Sequence, residues 1–244
     1  IGVNITAQNA VGSLAGSQYA GAISNVYSTG DLTASGLDNG GLIGYLGGGT
    51  IDNSHSSVNV SGGGRVGGLV GRQYNSIISN SYSDGIITGH VENDGDTGGL
   101  VGRFESGTIS NSHSTSNVDG INYVGGLTGY SAGDIINSYS SDANISGNDY
   151  VGGLVGFQIG GTISESYSSG NVDGLNNFIG GLIGYQSEGN ILNSYSTGQI
   201  NGNSWVGGFV GWSDGTISNS YSGGTVLGLG TEIGGFAGEQ GNAG

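Results

Sequence analysis

The feature that most constrains this chain is a five-residue signature, G-G-L-V-G in its commonest form, which recurs along the whole sequence. Its copies begin at residues 12, 40, 67, 98, 125, 152, 180, 207 and 234, so the repeat is 27 or 28 residues long except for one interval of 31. A fixed period of this size is typical of stacked repeats, in which each unit contacts only its neighbours. Because the nine copies span the chain, we expect residues 1–244 to form a single domain.

Each repeat contains three short segments that read as β-strands. They are the signature, an isoleucine block such as G-T-I-S-N-S-Y-S (215–222), and a third block such as G-N-V-D-G (170–174). Turn dipeptides such as Asn201-Gly202 separate blocks in which side chains alternate with period two, as a strand requires. Three such strands cannot enclose a core alone, but they can when stacked in parallel on their neighbours. The sequence therefore predicts an all-β fold, a right-handed, three-sided parallel β-solenoid (β-helix) of about nine 27-residue turns.

The 31-residue interval holds the one clear insertion, G-H-V-E-N-D-G-D-T-G-G at 89–99. We expect a bulge at about residues 89–97 on a corner of the solenoid. Glu92, Asp94 and Asp96 are acidic residues that a cation or a partner could contact, but a solvated bulge is the commoner outcome. The sequence therefore predicts no metal site.

Composition excludes several classes of function. The chain has three basic residues, Arg65, Arg72 and Arg103, and a formal charge of −15, which argues against nucleic acid or an anionic membrane surface as a partner. It has no cysteine and no apolar run of the ~20 residues that span a membrane. His55 and His113 occupy tyrosine positions of the repeat, so we expect them to be ladder residues and not members of a Ser-His-Asp triad. We therefore expect a protein that is not an enzyme and has no cofactor.

The signature followed by G-T-I-x-N-S-Y-S-T-G resembles the GLUG repeat. Such repeats occur in secreted and surface proteins of bacteria and some archaea, including adhesin-like proteins and immunoglobulin A-cleaving metallopeptidases. The H-E-x-x-H motif of those peptidases is absent here, so the resemblance does not carry over their activity. It implies an extracellular or cell-surface location and a repeat architecture.

Stacking turns every repeat position into a column along the solenoid. The isoleucine of the serine-rich block is present in eight copies, so we expect it to face inward. Alternation then places the asparagine and tyrosine columns inward and the serines outward, with Glu165 accepting hydrogen bonds from neighbouring asparagines. These predicted inward ladders contain Asn80, Asn111, Asn137, Glu165, Asn193, Tyr82, Tyr139, Tyr167 and Tyr195.

The same alternation predicts an apolar outer face on the signature strand. With Leu69 inward, the columns of Val66, Val70 and Arg72 and the second signature glycine face outward. We interpret this face as a lateral-packing surface; the alternative is that irregular turns tuck some of its side chains under a corner. It consists of Tyr45, Val70, Arg72, Tyr130, Val155, Phe157, Tyr185, Val210 and Trp212.

The favoured function is structural or adhesive: a surface stalk segment, or a self-assembling subunit of a filament, sheath or surface layer. The chain begins within a third block and stops after a signature, so we expect either a longer protein or subunits that join end to end through open strand edges. Self-association, lateral or end to end, is the expected partner class, with a cell surface or a glycan as a further one.

Two alternatives remain open at this point. An ice-binding protein would use the Ser-x-Ser face, and a glycan-binding β-helix would use the aromatic column of Tyr123, Tyr150, Phe178 and Trp205. Three N-x-S/T sequons on the outward side of the third strand are candidate glycosylation sites: Asn4, Asn59 and Asn144.

Overall fold

The computed structural model describes residues 1–91 and 95–241 of the chain. In these residues the chain forms forty short β-strands and no helix. Every strand pairs in parallel with its equivalents one turn away, and the strands build four sheets. One sheet contains nine strands, so the fold is a parallel β-solenoid of about nine turns, which confirms that part of the prediction.

Each turn passes through the four sheets in the same order. Sheet 1 consists of Leu37–Gly40, Gly64–Gly67, Thr97–Gly98, Asn122–Gly125, Asp149–Gly152, Asn177–Gly180, Ser204–Gly207 and Ile233–Gly234. Sheet 2 consists of Ala15–Gln18, Ile43–Leu46, Val70–Gln73, Val101–Phe104, Thr128–Ser131, Val155–Gln158, Ile183–Gln186, Val210–Ser213 and Ala237–Gln240. Sheet 3 consists of Ala22–Ser24, Thr50–Asp52, Ser76–Ser79, Gly107–Ser110, Asp134–Ile136, Thr162–Ser164, Asn190–Leu192 and Thr216–Ser218.

Sheet 4 begins with three long strands and then divides into two branches. The long strands are Gly2–Ala7, Tyr27–Ala34 and His55–Gly62. The tyrosine branch consists of Tyr82–Ser83, His113–Ser114, Tyr139–Ser140, Tyr167–Ser168, Tyr195–Ser196 and Tyr221–Ser222. The third-block branch consists of Ile86–Gly89, Asn117–Asp119, Asn144–Gly147, Asn171–Gly174, Ile200–Gly202 and Val226–Gly228.

The register stacks chemically equivalent residues directly over one another. Ile78 pairs with Ile51 on one side and Ile109 on the other, and Leu69 donates its backbone N–H to Leu100 at 2.9 Å. The insertion does not disturb this register. Gly89 still pairs with Gly62, and Thr97 still pairs with Val66 and Val124. Two of the predicted acidic residues of the bulge, Glu92 and Asp94, lie outside the described residues.

Two separate hydrophobic cores run along the solenoid. The first core is built from the columns of Leu69, Val70 and Ile78, which are fully buried. The second core is built from the columns of Val66 and Ile87, with the third-block residues of each turn. Each fully buried aliphatic side chain contributes roughly 1.5–3 kcal/mol. The predicted inward position of the isoleucine in the serine-rich block is therefore confirmed.

A narrow waist of serine and glycine separates the two cores. We define the waist as the columns of Ser83 and Gly68, which face each other in every complete turn. The Ser83 hydroxyl donates to the carbonyl of Gly99, one turn on, at 2.5 Å. A Cβ atom at Gly68 would lie 2.8 Å from the Ser83 Cβ and 2.1 Å from the Gly99 oxygen. Only glycine fits there, so the prediction that this second signature glycine faces outward is wrong.

The predicted orientation of the serine-rich block is also wrong beyond its isoleucine. Asn80 is exposed and has a left-handed backbone with φ of 49°, a region that asparagine enters more readily than most residues. This residue bends the strand and restarts the alternation, so Ser81 and Ser83 point inward while Tyr82 points outward. The predicted inward residues Asn80, Asn111, Asn137, Glu165 and Asn193 are exposed, and Tyr82, Tyr139, Tyr167 and Tyr195 are half-buried on the outside.

The inward serines have a specific task at this bend. The Ser81 hydroxyl donates to the carbonyl of Ser79 at 2.7 Å and accepts the backbone N–H of Ser54 at 3.2 Å. Buried backbone groups must find a partner, and the corner interrupts the ladder that would otherwise supply one. Serine therefore recurs because its small hydroxyl satisfies the backbone at each corner.

The predicted lateral-packing face is divided by a second bend. The chain bends at Gly68 and Leu69 between sheet 1 and sheet 2, so both Leu69 and Val70 face the first core. Val70, Val155 and Val210 are fully buried, and their assignment to an outer face is wrong. The same is true of Val66, which lies in the second core. The remaining members do lie on the outside and are half-buried: Tyr45, Arg72, Tyr130, Phe157, Tyr185 and Trp212.

Candidate functional surface

A continuous ladder of stacked rings lies on the outside of the tyrosine branch. Neighbouring rings are 4.5–5.3 Å apart between centroids, and their planes differ by at most 10°. Burial between neighbours lowers the pKa of His113 and raises the pKa of Tyr167. Stacked pairs add about 0.5–1.5 kcal/mol each beyond area burial, so this ladder is a stabilising feature. Its members are Tyr27, His55, Tyr82, His113, Tyr139, Tyr167, Tyr195 and Tyr221.

The asparagine column forms side-chain hydrogen bonds along the neighbouring corner. Asn53 Nδ2 donates to Asn25 Oδ1 at 2.5 Å, and Asn137 Nδ2 donates to Asn111 Oδ1 at 2.7 Å, instead of to Glu165 as predicted. Asp52 accepts from the Ser79 hydroxyl and from Asn80 Nδ2, both at 2.7 Å, and these two bonds lower its pKa.

A second aromatic surface, which we name the aromatic strip, covers four successive turns where sheet 1 meets sheet 2. Its first column holds the predicted residues Tyr123, Tyr150, Phe178 and Trp205. These rings stack face to face at 4.9–5.0 Å with interplanar angles of 14–25°. All four residues have left-handed backbones, with φ between 50° and 61°. Such a backbone costs a bulky residue of order 1–3 kcal/mol, which the stacking helps to offset.

The second column of the aromatic strip holds Tyr130, Phe157, Tyr185 and Trp212, which pair in register on sheet 2. Its rings are tilted differently from those of the first column: Tyr185 lies at 86° to Phe178 and at 74° to Tyr150. Burial raises the pKa of Tyr185, and the neighbouring Asp214 carboxylate raises it further. Its phenol therefore stays protonated at neutral pH and acts as a hydrogen-bond donor.

Carboxylates border the strip at one end. Asp214 Oδ2 accepts from Trp212 Nε1 at 2.9 Å and from the Tyr185 hydroxyl at 3.4 Å. On the next turn, Glu239 Oε2 accepts from Trp205 Nε1 at 2.7 Å. The two tryptophans of the chain therefore both lie in the strip, with their indole N–H groups already satisfied.

Ion pairs border the strip at its other end and include all three arginines of the chain. Arg65 pairs with Asp38 at 3.2 Å, Arg72 with Glu105 at 2.9 Å, and Arg103 with the buried Asp96 at 2.5 Å. The Arg103 guanidinium also lies over the Tyr130 ring, 4.7 Å from its centroid, and Arg72 lies over Tyr45 at 5.3 Å.

Asp96, which the sequence placed in the solvated bulge, is thus a buried partner of Arg103. Among residues 1–91 and 95–241, no cluster of three or more histidines and carboxylates could hold a metal ion. His90, also in the insertion, lies with Nε2 2.8 Å from the Ser61 hydroxyl. Ser61 occupies a repeat column with Thr6 and Thr33, so its hydroxyl is a repeated surface position.

The remaining predicted surface features are the serine columns and the three sequon asparagines. The serines of the Ser-x-Ser columns are buried in the central turns, so the outward serine face on which the ice-binding alternative depends is not formed there. The sequon residues Asn4, Asn59 and Asn144 are exposed, as predicted. The Asn59 side chain also links its own turn to the turns on either side. Its Nδ2 donates to Asp31 Oδ1 at 3.0 Å, and its Oδ1 accepts from the Ile86 backbone N–H at 3.1 Å.

Sequence reasoning missed the second column as a partner of the first. The signal was present, because an aromatic residue follows each first-column residue seven positions later in all four turns. What the sequence did not disclose is the bend at Gly68 and Leu69, which brings those two positions side by side.

Comparison with known proteins agrees with the architecture. The family model described as the GLUG motif matches residues 7–33, 62–88, 147–173 and 176–201. No curated protein and no solved structure matches the chain. The described residues contain no helix with the length and apolar character needed to cross a membrane. The chain therefore contains four repeats that match the GLUG motif, within a parallel β-solenoid of about nine turns.

Proposed function

We propose that this chain is an extracellular structural or adhesive scaffold, as a surface stalk segment or as a subunit of a filament, sheath or surface layer. The observation that carries the proposal is the continuity of its ladders through about nine turns. At ~4.8 Å per turn, eight steps make a rod on the order of 40 Å long whose side columns repeat at every rung. A rod of this kind can hold other groups at a fixed distance and present the same surface side chains at every turn.

Composition and resemblance support the location. The formal charge of −15 favours solubility, and the near absence of cations disfavours anionic partners. The repeats of this chain resemble the GLUG repeats of secreted and surface proteins, and this resemblance supports an extracellular location.

Surface labelling tests the location. An antibody raised against the purified chain should label intact cells of the source organism, and external protease should remove the signal. A cytoplasmic protein serves as the control for lysis. Labelling that appears only after the cells are opened would refute the extracellular proposal.

Self-association, lateral or end to end, is a further part of the proposal. Sedimentation velocity at increasing protein concentration should show species larger than the 24.1 kDa monomer, and negative-stain microscopy should show whether they extend into rods. A single monomeric species at the highest concentration would exclude the self-assembling form and leave the stalk.

We also propose that the chain has no catalytic activity, and that its solenoid is right-handed and three-sided. Assays for peptide, ester and glycoside hydrolysis should give no turnover above buffer. A crystal structure would determine the handedness and the cross-section of the solenoid. Left-handed winding would contradict the proposed handedness.

A further inference from the structure

The two columns of the aromatic strip offer different parts of their rings to the outside. In the first column both ring faces of Tyr150 and of Phe178 are covered by neighbouring rings at 4.9–5.0 Å, so mainly the edges of these two rings remain. In the second column Tyr185 and Trp212 are also nearly parallel, at 9°, but their centroids are 6.2 Å apart. Two flat rings in contact at that separation are displaced sideways, so neither covers the face of the other.

The first column supports the inner side of the second. Phe178 lies 5.3 Å from Tyr185 at 86°, and it lies 6.3 Å from Trp212 at 77°. Because the faces of Phe178 are covered within its own stack, its edge meets the rings of the second column, which is a favoured edge-to-face arrangement. The opposite faces of Tyr185 and Trp212 therefore turn away from the protein.

One carboxylate oxygen fixes the orientation of this pair. Asp214 Oδ2 accepts from both the Tyr185 hydroxyl and Trp212 Nε1, at 3.4 Å and 2.9 Å. A shared acceptor restrains both rings from the same side, in agreement with their 9° interplanar angle. Asp214 is itself exposed, and a carboxylate has lone pairs for further donors.

We propose that Tyr185 and Trp212 form a platform that binds an uncharged oligosaccharide of β-linked hexopyranoses, with the sugar chain parallel to the solenoid axis. A pyranose with equatorial substituents carries axial C–H groups on its faces, and the negative face of an aromatic ring attracts them. The spacing from Phe157 to Tyr185 is 5.3 Å and that from Tyr185 to Trp212 is 6.2 Å, comparable to the length of one hexopyranose unit. Asp214 accepts hydrogen bonds from sugar hydroxyls at the edge of the platform.

Size and charge favour this occupant over a second copy of the chain. Four turns at ~4.8 Å and two columns about 10 Å wide give a strip of roughly 200 Å², against ~800 Å² per partner in a standard protein interface. Two chains of formal charge −15 would also repel each other across it, as would an acidic polysaccharide. The proposal names a ligand class for the adhesive role, so it rests on the adhesive form of the proposed function.

Tryptophan fluorescence reports directly on this site, because both tryptophans of the chain lie in the strip. Titration of the purified chain with cellohexaose and with chitohexaose should give a saturable change in emission for at least one of them. Tyr185→Ala should weaken that binding by at least about tenfold, the size expected when one aromatic contact of ~1.4 kcal/mol is lost. Asp214→Asn, at an exposed position, should weaken it several-fold while the protein stays folded.

Tyr195→Ala is the matched control. It removes a ring that is stacked on both sides at 4.9 and 5.1 Å, but in the ladder on the tyrosine branch. It should leave the affinity within about twofold if the strip is the site. Equal losses in Tyr185→Ala and Tyr195→Ala, with circular dichroism showing both folded, would overturn the proposal.

Three other outcomes would also overturn it: no saturable change with either sugar, equally tight binding of an acidic hexagalacturonate, or a self-association that Trp212→Phe abolishes. None of them bears on surface labelling of intact cells, so failure of this proposal and failure of the extracellular assignment are distinguishable.

Discussion

Replacement of Gly153 by alanine is the sharpest test of the waist. Gly153 is the waist glycine of a central turn, and a Cβ atom there would lie 2.2 Å from the Gly181 carbonyl oxygen and 2.9 Å from the Ser168 Cβ. The nearest obstacle is backbone, which can move only with the next turn. Overpacking a tight interior costs about 1–3 kcal/mol, and we expect the upper end, about 3 kcal/mol. At about 2–4 °C per kcal/mol, the apparent melting temperature should fall by roughly 6–12 °C.

The control occupies the same column. Gly235 is the waist glycine of the last turn, where an added Cβ meets nothing within 4 Å, so Gly235→Ala should cause no loss of stability. Both variants receive the same chemical change, and thermal unfolding followed by far-ultraviolet circular dichroism compares them. A second variant, Gly153→Ala with Ser168→Gly, should recover only part of the loss, since the Gly181 carbonyl remains in place. Melting of Gly153→Ala within about 2 °C of Gly235→Ala would refute the waist as a steric constraint.

Three further predictions concern the corners and the ring ladder. Asn80, with φ of 49°, should tolerate Asn80→Gly but lose about 1–2 kcal/mol in Asn80→Val by denaturant unfolding, and equal stabilities would contradict the left-handed corner. Glu165 occupies an asparagine position with φ of 53°, so Glu165→Asn should raise stability by about 0.5 kcal/mol or more, and a loss would count against the argument. Burial places the pKa of His113 in the folded chain below 6.5, so as the pH falls the unfolded chain takes up this proton before the folded chain does. The contribution of His113 to the free energy of unfolding is therefore fully present above pH 6.5 and is lost as the pH falls through the folded pKa. His113→Tyr should reduce that decline between pH 7.5 and 5, and an unchanged pH profile of the melting temperature would disprove it.

The stacking of the chain could be predicted from the sequence because the repeat fixes it. When chemically similar residues return every 27 or 28 positions, parallel pairing of equivalents is the arrangement that buries all of the aliphatic columns together. The inward position of Ile78 followed from the same pattern, and its side chain is fully buried.

The orientation of the serine-rich block could not be predicted from alternation alone. Period two holds only while the backbone stays extended, and the left-handed residue at Asn80 interrupts it. A column of asparagine at one position is compatible with such a corner, but it is equally compatible with a buried amide ladder. Alternation continued through the corner assigns the wrong side to every residue after it.

The candidate binding platform was predicted only in part. The aromatic residues of both columns were evident as repeat positions, but the face that each ring presents depends on how the two columns pack. The left-handed backbone at Phe178 and the shared contact of Tyr185 and Trp212 with Asp214 decide that geometry. Neither the left-handed backbone nor the shared contact with Asp214 can be recognised from the pattern of apolar and polar residues in the sequence.

The waist has a consequence for which changes this architecture accepts. A 31-residue repeat enters the solenoid without shifting the pairing of Gly89 with Gly62 or of Thr97 with Val66 and Val124, so the additional length is accommodated between Gly89 and Thr97. At Gly68 a single methyl group has no space. Homologous repeats should thus diverge freely in corner length and outer side chains, whereas their smallest residues are the least replaceable. Lengthening a corner is the safe route for grafting a new segment onto this rod.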